Sequence, residues 1–221
     1  MIRSVNPPSN PHVDLRPSAW ISRFAHLVPA GARLLDLACG HGRHALLFAA
    51  RGVHVLAVDR DATALATLAG VPGIETRFAD LEGGPWPFGD ERFDAIVVCH
   101  YLHRPLFPNL VAALAADGTL LYETFAQGNE AFRRPTNPAF LLRAGELLQL
   151  AAAAMPMLTV VAFEQGLAGD ADRPAVVQRL AAVGPVRTWP PPLSEHRRIV
   201  AVEAGEGVRR AIGVKCAILL A

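Results

Sequence analysis

Cysteine is scarce in this sequence, and the three present do not pair by spacing. Cys39, Cys99 and Cys216 lie far apart and form no C-x-x-C unit. That speaks against a disulfide framework and against a structural zinc site, and it suits a reducing compartment. Long apolar runs are missing as well. None reaches the roughly 18 residues that a membrane-spanning helix needs, and the opening MIRSVNPPSNPHVDLRP has no apolar stretch of the kind a signal peptide carries. Cys216 stands too far from the last residue for a prenylation box. The expectation is a cytoplasmic protein with no membrane partner. Net charge is nearly absent too: 21 Lys and Arg against 20 Asp and Glu give +1. No electrostatic footprint for nucleic acid is visible in that total.

What is present is globular. Over 221 residues, 52% are hydrophobic and 19% charged, enough for one domain with a proper core. Residues 1–29 read as a proline-rich arm followed by a helix over 18–28, with Trp20, Phe24 and Leu27 on one face. From residue 30, short apolar runs alternate with helical patterns. Strands are expected at 34–38, 53–58, 74–79, 93–99 and 118–125. Helices are expected at 44–51, at 62–68 with Asp61 as cap, at 106–115 and at 145–155. Two last strands, 158–163 and 175–180, leave no room for a helix between them and should pair as a hairpin. The fold class is α/β: a Rossmann-like, doubly wound, mostly parallel seven-stranded sheet with a C-terminal antiparallel hairpin. That domain spans 30–183. Residues 184–221 form a proline-rich tail to which the pattern assigns no structure.

The chemistry concentrates at the first strand–helix turn. Gly40-x-Gly42-x-x-Ala45 fits the dinucleotide fingerprint G-x-G-x-x-G/A. Ligands of open α/β sheets sit at the carboxyl ends of the strands, and Asp59, ending the second strand, is placed to accept hydrogen bonds from a ribose. NAD and S-adenosylmethionine both carry adenosine, so the turn alone does not separate them. Asp36 does: a carboxylate beside the glycines repels a pyrophosphate and suits a ligand with an ammonium and a sulfonium. Asp80, followed by Leu81, is placed to hold an adenine edge. The terminal hairpin replaces the second parallel half expected of a dinucleotide enzyme.

These residues carry a resemblance. Leu35-Asp36-Leu37-Ala38-Cys39-Gly40-His41-Gly42, then Ala57-Val58-Asp59, then Ala79-Asp80-Leu81, then Phe93-Asp94-Ala95-Ile96-Val97-Val98, resembles the ordered motif set of class I S-adenosylmethionine-dependent methyltransferases. The Cys-Gly-x-Gly-Arg form of the turn is similar to the small-molecule branch that includes tellurite-resistance-type enzymes. The resemblance implies a cofactor, S-adenosylmethionine, leaving as S-adenosylhomocysteine, and a small-molecule methyl acceptor. It implies that Asp36, Ala38, Cys39, Gly40 and Gly42 lie along the methionine part of the cofactor, with Asp59 on the ribose. Arg60, Asp80 and Leu81 would lie around the adenine, and His100 and Tyr101 near the sulfonium and the acceptor entrance.

The acceptor side is read from residue types. His103, with Tyr101, is the candidate for proton transfer near neutral pH; the alternative is a polar loop. Arg104 and Glu123 are placed at the same edge. Arg133 and Arg134, in the loop FAQGNEAFRRPTNP, would with the two histidines His100 and His103 favour an anionic acceptor unless they are solvated surface charge. Trp20 and Arg23 are candidates to close the site from above. His41 and His44 have metal-like spacing but no third ligand nearby, so no metal is expected. Two other classes stay open: an NAD(P)-dependent oxidoreductase, and a non-catalytic module that binds S-adenosylmethionine without turning it over.

Overall fold

A computed structural model describes residues 15–169 and 173–192. Seven strands form one sheet in the order β3-β2-β1-β4-β5-β7-β6. They are β1 (Arg33–Leu37), β2 (His54–Asp59), β3 (Ile74–Phe78), β4 (Phe93–Cys99), β5 (Leu114–Phe125), β6 (Thr159–Ala168) and β7 (Ala175–Val183). β1 to β5 run parallel, whereas β7 is antiparallel to both β5 and β6. The order reverses beside β1, which is the position that places a ligand at the carboxyl end of the central strands.

Pattern and burial agree along the central strands. Strands covered on both faces read as continuous apolar runs, and β4 buries Ala95, Ile96, Val97 and Val98 completely. Leu34, Val55, Ala57, Ala95, Val97 and Leu121 face one way, beneath α1 (Ala19–Phe24), α2 (Arg43–Ala49) and α3 (Ala62–Ala66). Leu35, Leu37, Leu56, Ile96, Val98 and Leu120 face the other, beneath α4 (Phe107–Ala113) and α5 (Glu146–Ala153). Asp61 caps α3 as its sequence position predicts, accepting from the backbone N–H groups of Thr63 and Ala64. Ser18 caps α1 in the same way through Trp20 and Ile21.

Three expectations shift. The fourth helix ends at Ala113, and β5 starts at Leu114 rather than Gly118, with an irregularity in the β4 pairing between Phe93 and Ala95. The backbone there finds partners in the sheet: Gly184 and Val186 donate to the carbonyls of Gly118 and Ala116. The start of the proline-rich tail is therefore held by backbone hydrogen bonds to the first residues of β5 before it turns away. The terminal hairpin is longer than its apolar runs. Glu164 and Gln165 pair with Arg179 and Gln178, because an edge strand tolerates polar residues on its solvent side.

The described residues up to Pro191 belong to one compact unit. Residues 193–221, including Cys216 and most of the tail, lie outside the described residues. Among the described residues, no helix is long and apolar enough to cross a membrane.

Candidate active site

The glycine turn is built from left-handed backbone. Ala38 (φ 54°), Gly40 (φ 55°) and Gly42 (φ 72°) alternate with ordinary residues. The alternation folds β1 back into α2. Ala38 is strained there, since a Cβ disfavours this region by roughly 1–2 kcal/mol. The two glycines serve different ends. A Cβ at Gly42 would meet the Leu68 side chain at 2.5 Å, so Gly42 permits close packing of the turn. A Cβ at Gly40 would meet nothing within 4 Å, so open space lies against this stretch of backbone.

Asp59 closes that space from the side. Its Oδ2 accepts from Gly40 N at 2.7 Å and its Oδ1 from Asp61 N at 2.9 Å. It fixes the turn while keeping acceptor capacity, since a carboxylate has about four lone-pair sites. Asp36 sits elsewhere than on the turn surface. It is 1% exposed, beneath the start of α2, and accepts from Ala45 N at 2.9 Å. Burial pushes its carboxyl up to about 7, helped by the charge of Asp59 and opposed by the Ala45 N–H and Arg43. Cys39 is buried as well, and burial pushes its thiol up.

Beyond the turn, the structure gathers the candidates into two groups. The first lies at the carboxyl ends of β2 to β4. Arg60 and His103 act electrostatically on Asp80, whose carboxyl is held below its usual range chiefly by the N–H of Glu82. Burial, followed by the charge of Glu82, pushes the Tyr101 phenol up, so it stays protonated. Its hydroxyl is buried beside the Glu82 carboxylate, without a hydrogen bond of ordinary geometry among the described residues. Leu81 packs into the core beneath this group.

The second group lies at the ends of β4 and β5 and the middle of β7, on the α1–α2 side. Burial opposes charge on Glu123, but His100, Arg179 and Ser18 outweigh it and hold the carboxyl below its usual range. The Ser18 hydroxyl donates to Oε2 at 2.9 Å, and Arg179 Nε lies 2.8 Å from the same oxygen. Arg43, from α2, places Nη2 at 3.2 Å from both Cys99 Sγ and His100 Nδ1. His100 has a left-handed backbone (φ 56°), and its ring stacks on Phe125 at 4.6 Å. Arg133 lies over the same Phe125 ring at 5.9 Å. Burial first, then Arg43, pushes His44 down to about 3; the neutral ring accepts from Ser18 N at 3.2 Å.

Several expected site residues are engaged in the fold instead. Trp20 is 2% exposed and donates its indole N–H to the Leu180 carbonyl, so it is core rather than a cover. Arg23 lies on the outer edge, paired with Glu164 at 3.0 Å and stacked over Phe24. Only the cap residue Ser18 brings the N-terminal helix to the site. Arg104 spends its guanidinium on both Glu146 oxygens (2.6 and 3.0 Å) and on the carbonyls of Ala139 and Leu141 (2.8 Å each). That geometry makes it a clamp on the 127–145 segment rather than a substrate ligand. Arg133 and Arg134 are exposed on that segment. A shallow hollow of about 410 Å³, lined by Arg33, His54, Gly73 and Glu75 among others, lies at the opposite ends of β1 to β3, away from this chemistry.

Residues 34–118 match a family model described as a methyltransferase domain. That stretch of the chain is similar to a methyltransferase domain. A demethylmenaquinone methyltransferase of Clavibacter sepedonicus is 30% identical over 141 residues, which are 60% of this chain and 53% of that protein. The chain thus spans about half the length of this curated relative. Among solved structures, TehB from Haemophilus influenzae superposes with a TM-score of 0.60 at 17% identity, covering 74% of this chain and 60% of TehB. A Burkholderia thailandensis 1,6-didemethyltoxoflavin-N1-methyltransferase, solved with 1,6-didemethyltoxoflavin and S-adenosylhomocysteine, superposes at 0.56 and 23% identity, covering 77% of each chain. These superpositions establish the class I methyltransferase fold. The matched domain ends at residue 118, so Glu123, Arg179 and the 127–145 segment lie beyond it.

Sequence reasoning missed Ser18 and Arg179 in the second group, and weighed His44 only as a metal ligand beside His41. Arg179 faces Glu123 directly in the β5–β7 register. Only the strand order brings two residues so distant in sequence together.

Proposed function

We propose that this protein is an S-adenosylmethionine-dependent methyltransferase acting on a small-molecule acceptor. The observation that carries the reading is the open face at Gly40 beside Asp59, within the stretch similar to a methyltransferase domain, residues 34–118. The cofactor, when bound, supplies an electrophilic methyl group on a sulfonium. Asp59 holds the ribose while fixing the turn, and Arg60, Asp80 and Leu81 border the adenine. Buried Asp36 sets the start of α2 beneath the site of the cofactor's positive groups, which on binding would favour its ionised form. Displacement at a methyl carbon needs mainly alignment and exclusion of water. The 127–145 segment, clamped by Arg104, provides the wall on the acceptor side. His103, beside Asp80, is the group to take a proton from the acceptor, with Tyr101 as a hydroxyl donor near it. Arg133 and Arg134 favour an anionic acceptor.

Calorimetric titration with S-adenosylmethionine, S-adenosylhomocysteine and NAD tests the reading. Micromolar binding of the first two without NAD supports it. NAD binding alone replaces it with the oxidoreductase reading. Cofactor binding without turnover across thiol, oxyanion and heterocyclic amine acceptors leaves the non-catalytic module.

A further inference from the structure

We propose that Cys99, His100 and Glu123 form a binding site for one divalent metal ion of the zinc class. Their ligand atoms all lie within 4.8 Å of one another. Sulfur, imidazole nitrogen and carboxylate oxygen together are the donor set that zinc and its neighbours prefer over magnesium or calcium. The spacings argue further. His100 Nε2 lies 3.6 Å from Glu123 Oε1, and Cys99 Sγ lies 3.9 Å from the same oxygen. The first is too long for a hydrogen bond and the second is at the outer limit for sulfur. Around a tetrahedral zinc ion with ordinary bond lengths, nitrogen and oxygen ligands stand about 3.4 Å apart, and sulfur and oxygen about 3.6 Å apart. Two of the three ligand-to-ligand distances thus come close to the edges of such a tetrahedron and the third lies within 4.8 Å, with the fourth corner left to water.

The surrounding groups have the form of an outer shell that orients metal ligands. Ser18 and Arg179 both engage Oε2 of Glu123, which leaves Oε1 for the ion. Arg43 Nη2 donates toward Cys99 Sγ. It also lies against His100 Nδ1. With the ion on Nε2, Nδ1 carries the ring proton and can no longer accept from Arg43, so that contact opens to water at the exposed ring while Arg43 stays on the sulfur. Binding replaces the thiol proton with the ion and releases that proton to solvent. Thiolate and carboxylate then balance the two positive charges, so neither arginine faces an uncompensated cation. The sequence expectation of no metal rested on the spacing of the cysteines and on the His41 and His44 pair; Glu123 reaches Cys99 and His100 only through the pairing of β5 with β4.

The test is titration of the metal-free full-length protein with Zn²⁺ by calorimetry and with Co²⁺ by absorption. The expected result is a single saturable site, release of about one proton per ion, and a thiolate-to-cobalt band with the visible bands of tetrahedral cobalt. Cys99→Ser abolishes the thiolate band and Cys39→Ser retains it. His100→Ala, at a partly exposed side chain, weakens zinc binding at least about tenfold. Glu123→Gln is the less clean variant, because Glu123 also anchors Ser18 and Arg179. Absence of saturable zinc binding, or a thiolate band that survives Cys99→Ser, overturns the proposal. Titration of the same samples with S-adenosylhomocysteine keeps the two readings apart. Metal binding without cofactor binding sinks only the methyl-transfer reading, and cofactor binding without metal sinks only this one.

Discussion

Asp59 and Asp36 show how one residue type does two jobs a few ångströms apart. Asp59 stays partly exposed and is shared between the turn and the ligand side. Asp59→Ala is expected to weaken S-adenosylhomocysteine binding by about 1.5–3 kcal/mol, the worth of a charged hydrogen bond; unchanged affinity in a titration removes it from the cofactor site. Asp36 is buried, and its carboxyl is raised from 3.8 to about 7. Between those values the folded state holds a proton that the unfolded state has lost. Stability from this group is therefore full below about pH 4 and falls as pH rises through 7, by on the order of 4 kcal/mol at the limit. Asp36→Asn should flatten this part of the profile. Urea unfolding of both proteins between pH 4 and 8 checks it, and parallel profiles refute it.

Among the elements, the 127–145 segment depends most on a few contacts. Asn129 is wholly buried and ties the carbonyls of Arg133 and Pro135 to the N–H of Val176. Arg104 ties the other end to the start of α5 and holds the Glu146 carboxyl down to about 2, against burial and with help from the N–H of Arg143. Arg104→Ala should cost about 2 kcal/mol, since it leaves a buried carboxylate short of partners. Arg104→Lys should fail to rescue it, because a point charge cannot serve both oxygens and two carbonyls. Limited proteolysis should then cut this segment faster while the parallel core stays protected. Equal cutting rates would show that the clamp is dispensable.

For the molecule as a whole, the methyltransferase fold is established and the activity is proposed, because function belongs to sites rather than folds. A ligand that binds only the folded state stabilises it by about 2.7 kcal/mol at a hundredfold excess over its Kd. For a chain of this size that corresponds to a rise of about 5–10 °C in Tm. S-adenosylhomocysteine should produce that rise and NAD should not. The reverse result would move the protein to the dinucleotide class.

The sequence by itself determined what depends on short spacing. The strand–helix alternation, the Gly40–Gly42 turn, the Asp61 cap and the acids closing the second and third strands are local, so their physics is written within a few neighbouring residues. Tertiary structure decided what depends on strand order. Trp20 and Arg23 looked like a cover for the site, but the face of α1 that carries Trp20 packs on the sheet and only Ser18 reaches the chemistry. Arg104 looked like a substrate ligand until folding brought Glu146 and two carbonyls to its guanidinium. Glu123 met Arg179 because the terminal hairpin places β7, not β6, beside β5. Local pattern specifies that a strand forms and which side chains share its face. The closing of long loops decides which charges meet across the sheet.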